Sequence, residues 1–375
     1  MSPKTRWLVP AAVCAAAIGI GACGTSDSGD SSSTTASGSS GSGKIGFLLP
    51  ETETARYETQ DKPLFEAAVK DQCPDCEVLY QNADQDTTKQ QSQVEAMVTQ
   101  GVDVIVLDPV DSTSAAGMVQ RAEQENIPVI SYDRLILNAD LAAYAEFNSS
   151  EVGKQQGEAL AKKLDEDGNP TGPIVQINGD PKDNNAKLFK EGASAVFTDK
   201  NIDVAKNFDT PDWLPENAQR EMEQSITALG RDSVVGVLSA NDGMAAAIIS
   251  VLKKHHLNGQ VPVTGQDASI PGLQAVLNGD QCVTIWKPTQ PEAATAANLA
   301  VALFKGQKPS ADDKLKDPES GKYIPSKLLD PTPVLLDNGK MQDVIDSGQA
   351  TFKQICTAAY ADLCREHKLK AATQS

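Results

Sequence analysis

The sequence predicts an α/β protein built as two doubly wound parallel-sheet lobes joined by a three-strand hinge. Three observations carry that prediction. Short β-branched runs alternate with amphipathic stretches of helical spacing, the pattern of successive βαβ units. The alternation runs once through residues 45–134 and then restarts at 172, so two similar lobes are expected, although no sequence repeat is visible. Apolar residues make up 40% of the 375-residue chain and aromatics only 5%, so Ala, Val, Ile and Leu fill the core. That filling suits parallel α/β layers better than an aromatic-rich β-sandwich.

Taken in order, IGFLLP (45–50) is an apolar run that stops at Pro, followed by an amphipathic run over 61–72 and the strand candidate CEVLYQNA (76–83). A Gln-rich helix with Val94, Met97 and Val98 on one face leads into VDVIVLDPV (102–110). A helix over 113–125 then precedes IPVISYDR (127–134). The second series reads GPIVQING (172–179), helix 185–197, IDVAKNFD (202–209), helix 215–228, VVGVLSAND (234–242), helix 243–254, VPVTGQD (261–267) and VTIWKP (283–288). Nearly every strand ends in polar or turn residues. In open parallel sheets ligands bind outside the carboxyl ends of the strands, so these side chains are expected to face one crevice. The pair Asp84 and Asp86 is read as capping the helix after it, and DEDGNP (165–170) as a turn, because a calcium loop would need Glu where Gln176 stands.

The N-terminus reads as an export signal. Lys4 and Arg6 precede a short apolar stretch from Trp7 to Ile20, and IGAC resembles the bacterial lipobox, whose Cys (here Cys23) is lipidated. The expected organisation is a signal over 1–23, a flexible Gly/Ser/Thr tether over 24–43, an N-terminal lobe of 44–147 plus 288–330, and a C-terminal lobe of 148–287 plus 331–375. Such a chain is extracytoplasmic and tethered to the membrane through Cys23. Cys14 leaves with the signal, so five cysteines remain besides Cys23, an odd number. Cys73 and Cys76 in CPDC fit a small structural disulfide, since a redox pair belongs at a helix N-terminus. Cys356 with Cys364 is the second candidate pair.

A net charge of −18 argues against nucleic acid or an anionic membrane surface as a partner through a broad basic face. Three His residues leave little for a metal or acid–base site, and no glycine cradle for phosphates is present. No Ser or Cys nucleophile has a recognisable His partner motif. The expectation is a protein with no catalytic residues, metal or cofactor. What the strand ends offer instead is the inventory for a neutral polyol: Asp accepts, Asn does both, Arg and Lys donate, and an aromatic ring covers a C–H face. The candidates are Arg56, Tyr57, Asp133, Arg134, Asn185, Trp213, Asn241, Asp267 and Lys287. Simpler roles stand beside these. Asn184 and Asp242 fit helix N-caps, Trp213 fits the residue ahead of a cap with Pro215 opening a helix, and Asp133–Arg134 fits a local ion pair.

The stretches SQVEAMVTQGVDVIV, IPVISYDR, DNNAKLF, WLPENA, SANDGMAAAI and GQDA, with the Lys-Pro after VTIW, resemble one family. It is the pentose/hexose-binding group of type I periplasmic binding proteins, the D-xylose-binding and multiple-sugar-binding receptors of ABC importers. The resemblance covers residues 44–336. It implies lobes that close on a monosaccharide, with Arg56 bonding hydroxyls, Tyr57 and Trp213 stacking on the ring faces, and Arg134 reaching the ring side. Asn185, Asn241, Asp267 and Lys287 complete the polar ring. Tyr57 stands where the family has Trp, and Phe147-Asn148-Ser149 stands where it has Phe-Asp-Asn, so no sugar contact is assigned there. The implied function is that of a monomeric substrate-binding lipoprotein that delivers a monosaccharide to an ABC permease. D-xylose is the preferred ligand, with glucose, galactose and arabinose as alternatives. A chemosensory co-receptor would keep the same site. A secreted carbohydrate-active enzyme would need a carboxylate pair, for which Asp133 and Asp267 are the only candidates.

Overall fold

The computed structural model describes residues 42–309 and 311–372, so the signal, the lipobox Cys23 and residues 24–41 of the tether lie outside the described residues. The chain begins with β1 (Lys44–Leu49), α1 (Lys62–Gln72), β2 (Glu77–Asn82), α2 (Thr87–Thr99), β3 (Val104–Leu107), α3 (Ala116–Gln124), β4 (Val129–Tyr132) and β5 (Ala143–Phe147). It continues with α4 (Ser149–Glu166), β6 (Ile174–Asn178), α5 (Asn184–Asp199), β7 (Val204–Asp209), α6 (Pro215–Leu229), β8 (Gly236–Ser239), α7 (Asp242–Lys254), β9 (Thr264–Gln266), α8 (Ile270–Leu277) and β10 (Val283–Trp286). Then come α9 (Thr289–Phe304), β11 (Asp313–Lys316), β12 (Tyr323–Leu329), β13 (Thr332–Val334), α10 (Lys340–Asp346), α11 (Phe352–Ile355) and α12 (Ala361–Glu366).

One sheet has the order β11-β12-β5-β4-β3-β1-β2, parallel throughout except for the β11–β12 pair. The second lobe pairs β7-β6-β8 and β13-β10-β9, and a parallel bridge between Val237 and Val263 joins the two sets. In both lobes the first strand lies between the second and the third, which creates the crevice at the strands' carboxyl ends. Alternation along the buried strands explains the two-sided core. Ile45, Phe47, Leu49, Val104 and Val106 pack on one face with α1 and α9, while Leu48, Ile105 and Leu107 pack on the other with α2 and α3.

The chain passes between the sheets three times: from β5 to α4 at Asn148, from β10 to α9 at Lys287–Pro288, and from β12 to β13 at Asp330–Pro331. The α4 and α5 helices pack very closely. A Cβ on Gly153 would sit 1.9 Å from the Phe189 carbonyl oxygen, so only glycine allows this approach. That contact fixes α5, which carries a central site residue at its first turn. Cys73 is bonded to Cys76 and Cys356 to Cys364, while Cys282 is free. Among the described residues no helix is long and apolar enough to cross a membrane.

Two capping expectations are corrected. Asp183, not Asn184, caps α5, with Oδ1 accepting from the Asn185 amide at 2.8 Å. Asn241, not Asp242, caps α7, accepting from the Met244 amide at 2.9 Å. In both cases the cap is the residue still in extended backbone, one position earlier than expected. Of the pair Asp84 and Asp86, only Asp86 caps α2, accepting from the amides of Thr88 and Lys89, while Asp84 pairs with the Lys89 side chain.

Candidate ligand-binding site

Every one of the nine candidate residues follows a strand's carboxyl end. Arg56 and Tyr57 lie beyond β1 at the start of a π-helical turn (Tyr57–Asp61) that runs into α1, Asp133 and Arg134 directly after β4, and Asn185 at the start of α5 beyond β6. Trp213 follows β7, Asn241 follows β8, Asp267 follows β9 and Lys287 follows β10. All nine line one chamber between the lobes, of about 320 Å³ counted with its mouth. Eight are buried, and Asp267 is partly so.

Asp133 is the hub. Its backbone adopts the left-handed region (φ 53°), which turns the chain sharply off β4 and aims the carboxylate inward. Oδ2 accepts from the Tyr57 hydroxyl at 2.9 Å and lies 3.1 Å from Arg56 Nη2. Oδ1 accepts from Asn185 Nδ2 at 3.1 Å and lies 3.6 Å from Lys287 Nζ. Burial opposes its ionisation, but Lys287, Arg56 and Arg134 overcome that and hold the carboxyl well below the usual range. Asn185 also donates to the Asp133 carbonyl at 3.0 Å, and its own Oδ1 accepts from Ser149 Oγ at 3.2 Å. One strand-end residue thus ties both lobes to the chamber floor.

The cations are held as firmly. Arg56 grips Asp61 with Nε at 3.0 Å and Nη2 at 2.9 Å, and Nη2 also reaches Glu292 at 3.1 Å. Arg134 Nε pairs with Asp183 at 3.0 Å. The Tyr57 ring lies between the two guanidinium groups, 5.3 Å from Arg56 and 5.9 Å from Arg134. Its hydroxyl is engaged by Asp133, so the smaller ring adds an anchor for the hub. Lys287 Nζ sits between Asp133, Glu146 and Asp267 at 3.6, 3.7 and 3.9 Å.

Trp213 supplies an apolar wall. It too has a positive φ (56°), and its indole lies so close to Gly179 that a Cβ there would come within 2.0 Å of the ring. Nε1 donates to Asp183 Oδ2 at 3.2 Å, and the ring meets Phe189 edge-on with centroids 6.5 Å apart.

Four lining residues were not read from the sequence: Thr54, Asp183, Phe189 and Gln266. Phe189 follows Asn185 by four positions and therefore shares its helix face, a spacing that could have pointed to it. Asp183 does three things at once, capping α5 and receiving bonds from Arg134 and Trp213. Behind the lining, oxygens of Asp133, Glu146 and Glu292 lie within 4.8 Å of one another. Lys287 and Arg56 already supply positive charge to that cluster, so a metal ion is not needed to hold it.

The family model for the periplasmic binding protein domain matches residues 45–308. The chain belongs to the periplasmic binding protein family. It is 35% identical to the D-xylose-binding periplasmic protein of Escherichia coli over 306 residues, 80% of this chain and 89% of that protein. It is also 35% identical to the multiple sugar-binding periplasmic receptor of Rhizobium radiobacter, covering 72% of this chain and 80% of that receptor. Among solved structures, an ABC transporter solute-binding protein of Clostridium phytofermentans with bound β-D-glucose superposes with a TM-score of 0.76 at 30% identity, covering 83% of this chain and 99% of that one. A carbohydrate transporter solute-binding protein of Chloroflexus aurantiacus in complex with D-glucose gives a TM-score of 0.73 at 28% identity, with 83% and 97% covered. These homologues are solute-binding proteins, not enzymes, and the fold is that of type I periplasmic binding proteins.

Proposed function

We propose that this protein captures a monosaccharide between its lobes and delivers it to an ABC sugar permease, held outside the cytoplasm by a lipid on Cys23. The observation that carries this is the balance of the chamber lining. Three acids (Asp133, Asp183, Asp267) face three bases (Arg56, Arg134, Lys287), with Asn185 and Asn241 as amides and Tyr57, Phe189 and Trp213 as aromatic faces. A net-neutral lining rich in both donors and acceptors fits a neutral polyol and penalises a charged one. Sugar hydroxyls exchange with the ion pairs that the lining groups make among themselves, and the ring lies against Trp213.

Closure is the working step. Ligand contacts to both lobes exist only in the closed form, so binding shifts the population toward it, and the permease reads the paired lobe surfaces. D-xylose is the preferred ligand, supported by the xylose-binding relatives. Glucose stands next, supported by the two glucose-bound neighbours. The protein acts as a monomer.

Calorimetric titration of the mature protein with D-xylose, L-arabinose, D-glucose and D-galactose tests this reading. One-to-one binding of at least one of these sugars is expected, with D-xylose tightest. No heat with any of the four would overturn it.

A further inference from the structure

A second and larger chamber lies beside the first. This space amounts to about 1280 Å³ including its mouth, against about 320 Å³ for the first. Thr54, Arg56, Trp213, Asn241 and Asp267 line both, so the two lie side by side and share these side chains as a common wall. We propose that the second chamber is a subsite for another neutral sugar ring, so that the protein takes up a disaccharide or glycoside as well as the free monosaccharide. This rests on the sugar-binding reading of the first chamber.

The second lining has the two kinds of surface that a pyranose needs. Pro215, Ala246, Ile270, Pro271 and Ala350 offer apolar faces, and Thr59, Gln60 and Gln349 offer neutral hydrogen-bonding groups. Its charges exclude an anionic substituent. Arg56 is the only cation in the lining, and it is already engaged by Asp61, Asp133 and Glu292. The exposed acid Glu53 adds negative charge, so a phosphate or uronate would be repelled. Part of the wall comes from residues beyond the 45–308 matched by the family model: Gln349, Ala350 and Gln354. Gln349 is pinned there, accepting from Trp286 Nε1 at 2.8 Å and donating to the Asp267 carbonyl at 3.3 Å. The C-terminal segment is thereby fixed directly beside a residue of the first chamber.

Titration of the mature protein with D-xylose, D-glucose, xylobiose and cellobiose tests the proposal. Each disaccharide carries one ring substituted at C1 and one at O4, so either polarity of the two chambers is sampled. At least one disaccharide is expected to bind within about tenfold of its monosaccharide. Ala246 is exposed on α7 and lines only the second chamber, so Ala246→Trp fills that space without touching the first. This variant should weaken disaccharide binding by about tenfold or more while leaving monosaccharide affinity within about twofold. Xylose 1-phosphate should bind far more weakly than xylose. Monosaccharide binding with no response to either disaccharide would overturn the second subsite and leave the first standing. Equal loss of both ligands in Ala246→Trp, or retention of both, would also overturn it. Silence toward all four sugars would remove both readings together.

Discussion

Asn185 and Trp213 come from different strand ends of the second lobe, yet both close on groups of the first lobe or on each other's supports. Asn185 reaches Asp133 across the cleft, and Trp213 is braced through Asp183, whose other oxygen caps the helix bearing Asn185. Asn185→Ala removes the amide that ties the lobes and that is proposed to meet a sugar hydroxyl. It is expected to weaken sugar binding by about 10- to 100-fold, since a lost buried hydrogen bond to a charged group costs about 1.5–3 kcal/mol. Trp213→Ala removes the stacking wall and should cost on the order of 100-fold. Titration calorimetry beside a thermal melt checks both, and wild-type affinity in either folded variant would return that residue to a structural role. At this scale the sequence was informative where a polar residue directly follows a strand, as with Asp133, Arg134, Asp267 and Lys287. It was silent where one side chain serves two neighbours. Asp183 reads as an acid in a turn, because its bonds to Arg134 and Trp213 come from residues 49 positions before and 30 after it.

Elements positioned by local pattern were legible, and those positioned by burial alone were not. The β-branched strands of both series and the helices between them follow the expected order, with ends shifted by a few residues. The strand β5 escaped notice because AYAEF carries a Glu at a fully buried position, which no alternation rule anticipates. The helix α9 is so rich in buried Ala that its apolar face is not a stripe. The loop between β3 and α3 also gained a role that its composition did not advertise. The Ser112 amide donates to the Lys182 carbonyl at 3.0 Å, and Ser112 Oγ accepts from the Asn184 amide at 3.1 Å. Gln85 Nε2 reaches Asp180 at 3.3 Å beside them. These bonds latch the lobes across the cleft, and they give Asn184 a place at the helix start without making it the cap. Ser112→Ala leaves the Asn184 amide without its acceptor. With the closure proposed above, a loss of about 1 kcal/mol should appear as roughly fivefold weaker sugar binding, mainly through faster dissociation. Stopped-flow release of sugar measures this; an unchanged dissociation rate would mean that the loop contributes nothing to closure.

Over the whole molecule, the net charge of −18 is legible from composition, but its distribution is not. Several acids are inside. Glu146, Glu292, Asp108, Asp183, Asp242 and Asp267 are each pushed upward, with burial the leading cause. For Glu292 and Asp242 the result is about 7. At Glu292 burial leads; Asp133 and Asp61 add to the rise, while the paired Arg56 and a hydrogen bond with Glu146 work against it, and Lys287 stands beside Glu146. A carboxyl raised in the folded state holds a proton that the unfolded chain releases above the ordinary range, near 4. Between about 4 and 7 the native state therefore binds more protons than the unfolded state, and stability falls as pH rises through about 7. Asp133 has the opposite sign, but its window lies below the ordinary carboxylate range and does not enter. The thermal midpoint is thus expected to rise by a few degrees when the pH is lowered from 8 to 6, as each fully titrating group contributes up to about 1.4 kcal/mol per pH unit. Self-repulsion of a strongly acidic surface has the same sign, so the slope alone does not locate the cause. Glu292→Gln separates the two, because the amide keeps the volume and cannot ionise, while the surface charge is untouched. Its midpoint should change less between pH 6 and 8 than that of the parent. A parallel pair of curves would place the effect on the surface, and a midpoint that falls on acidification would show that the buried acids are ionised throughout.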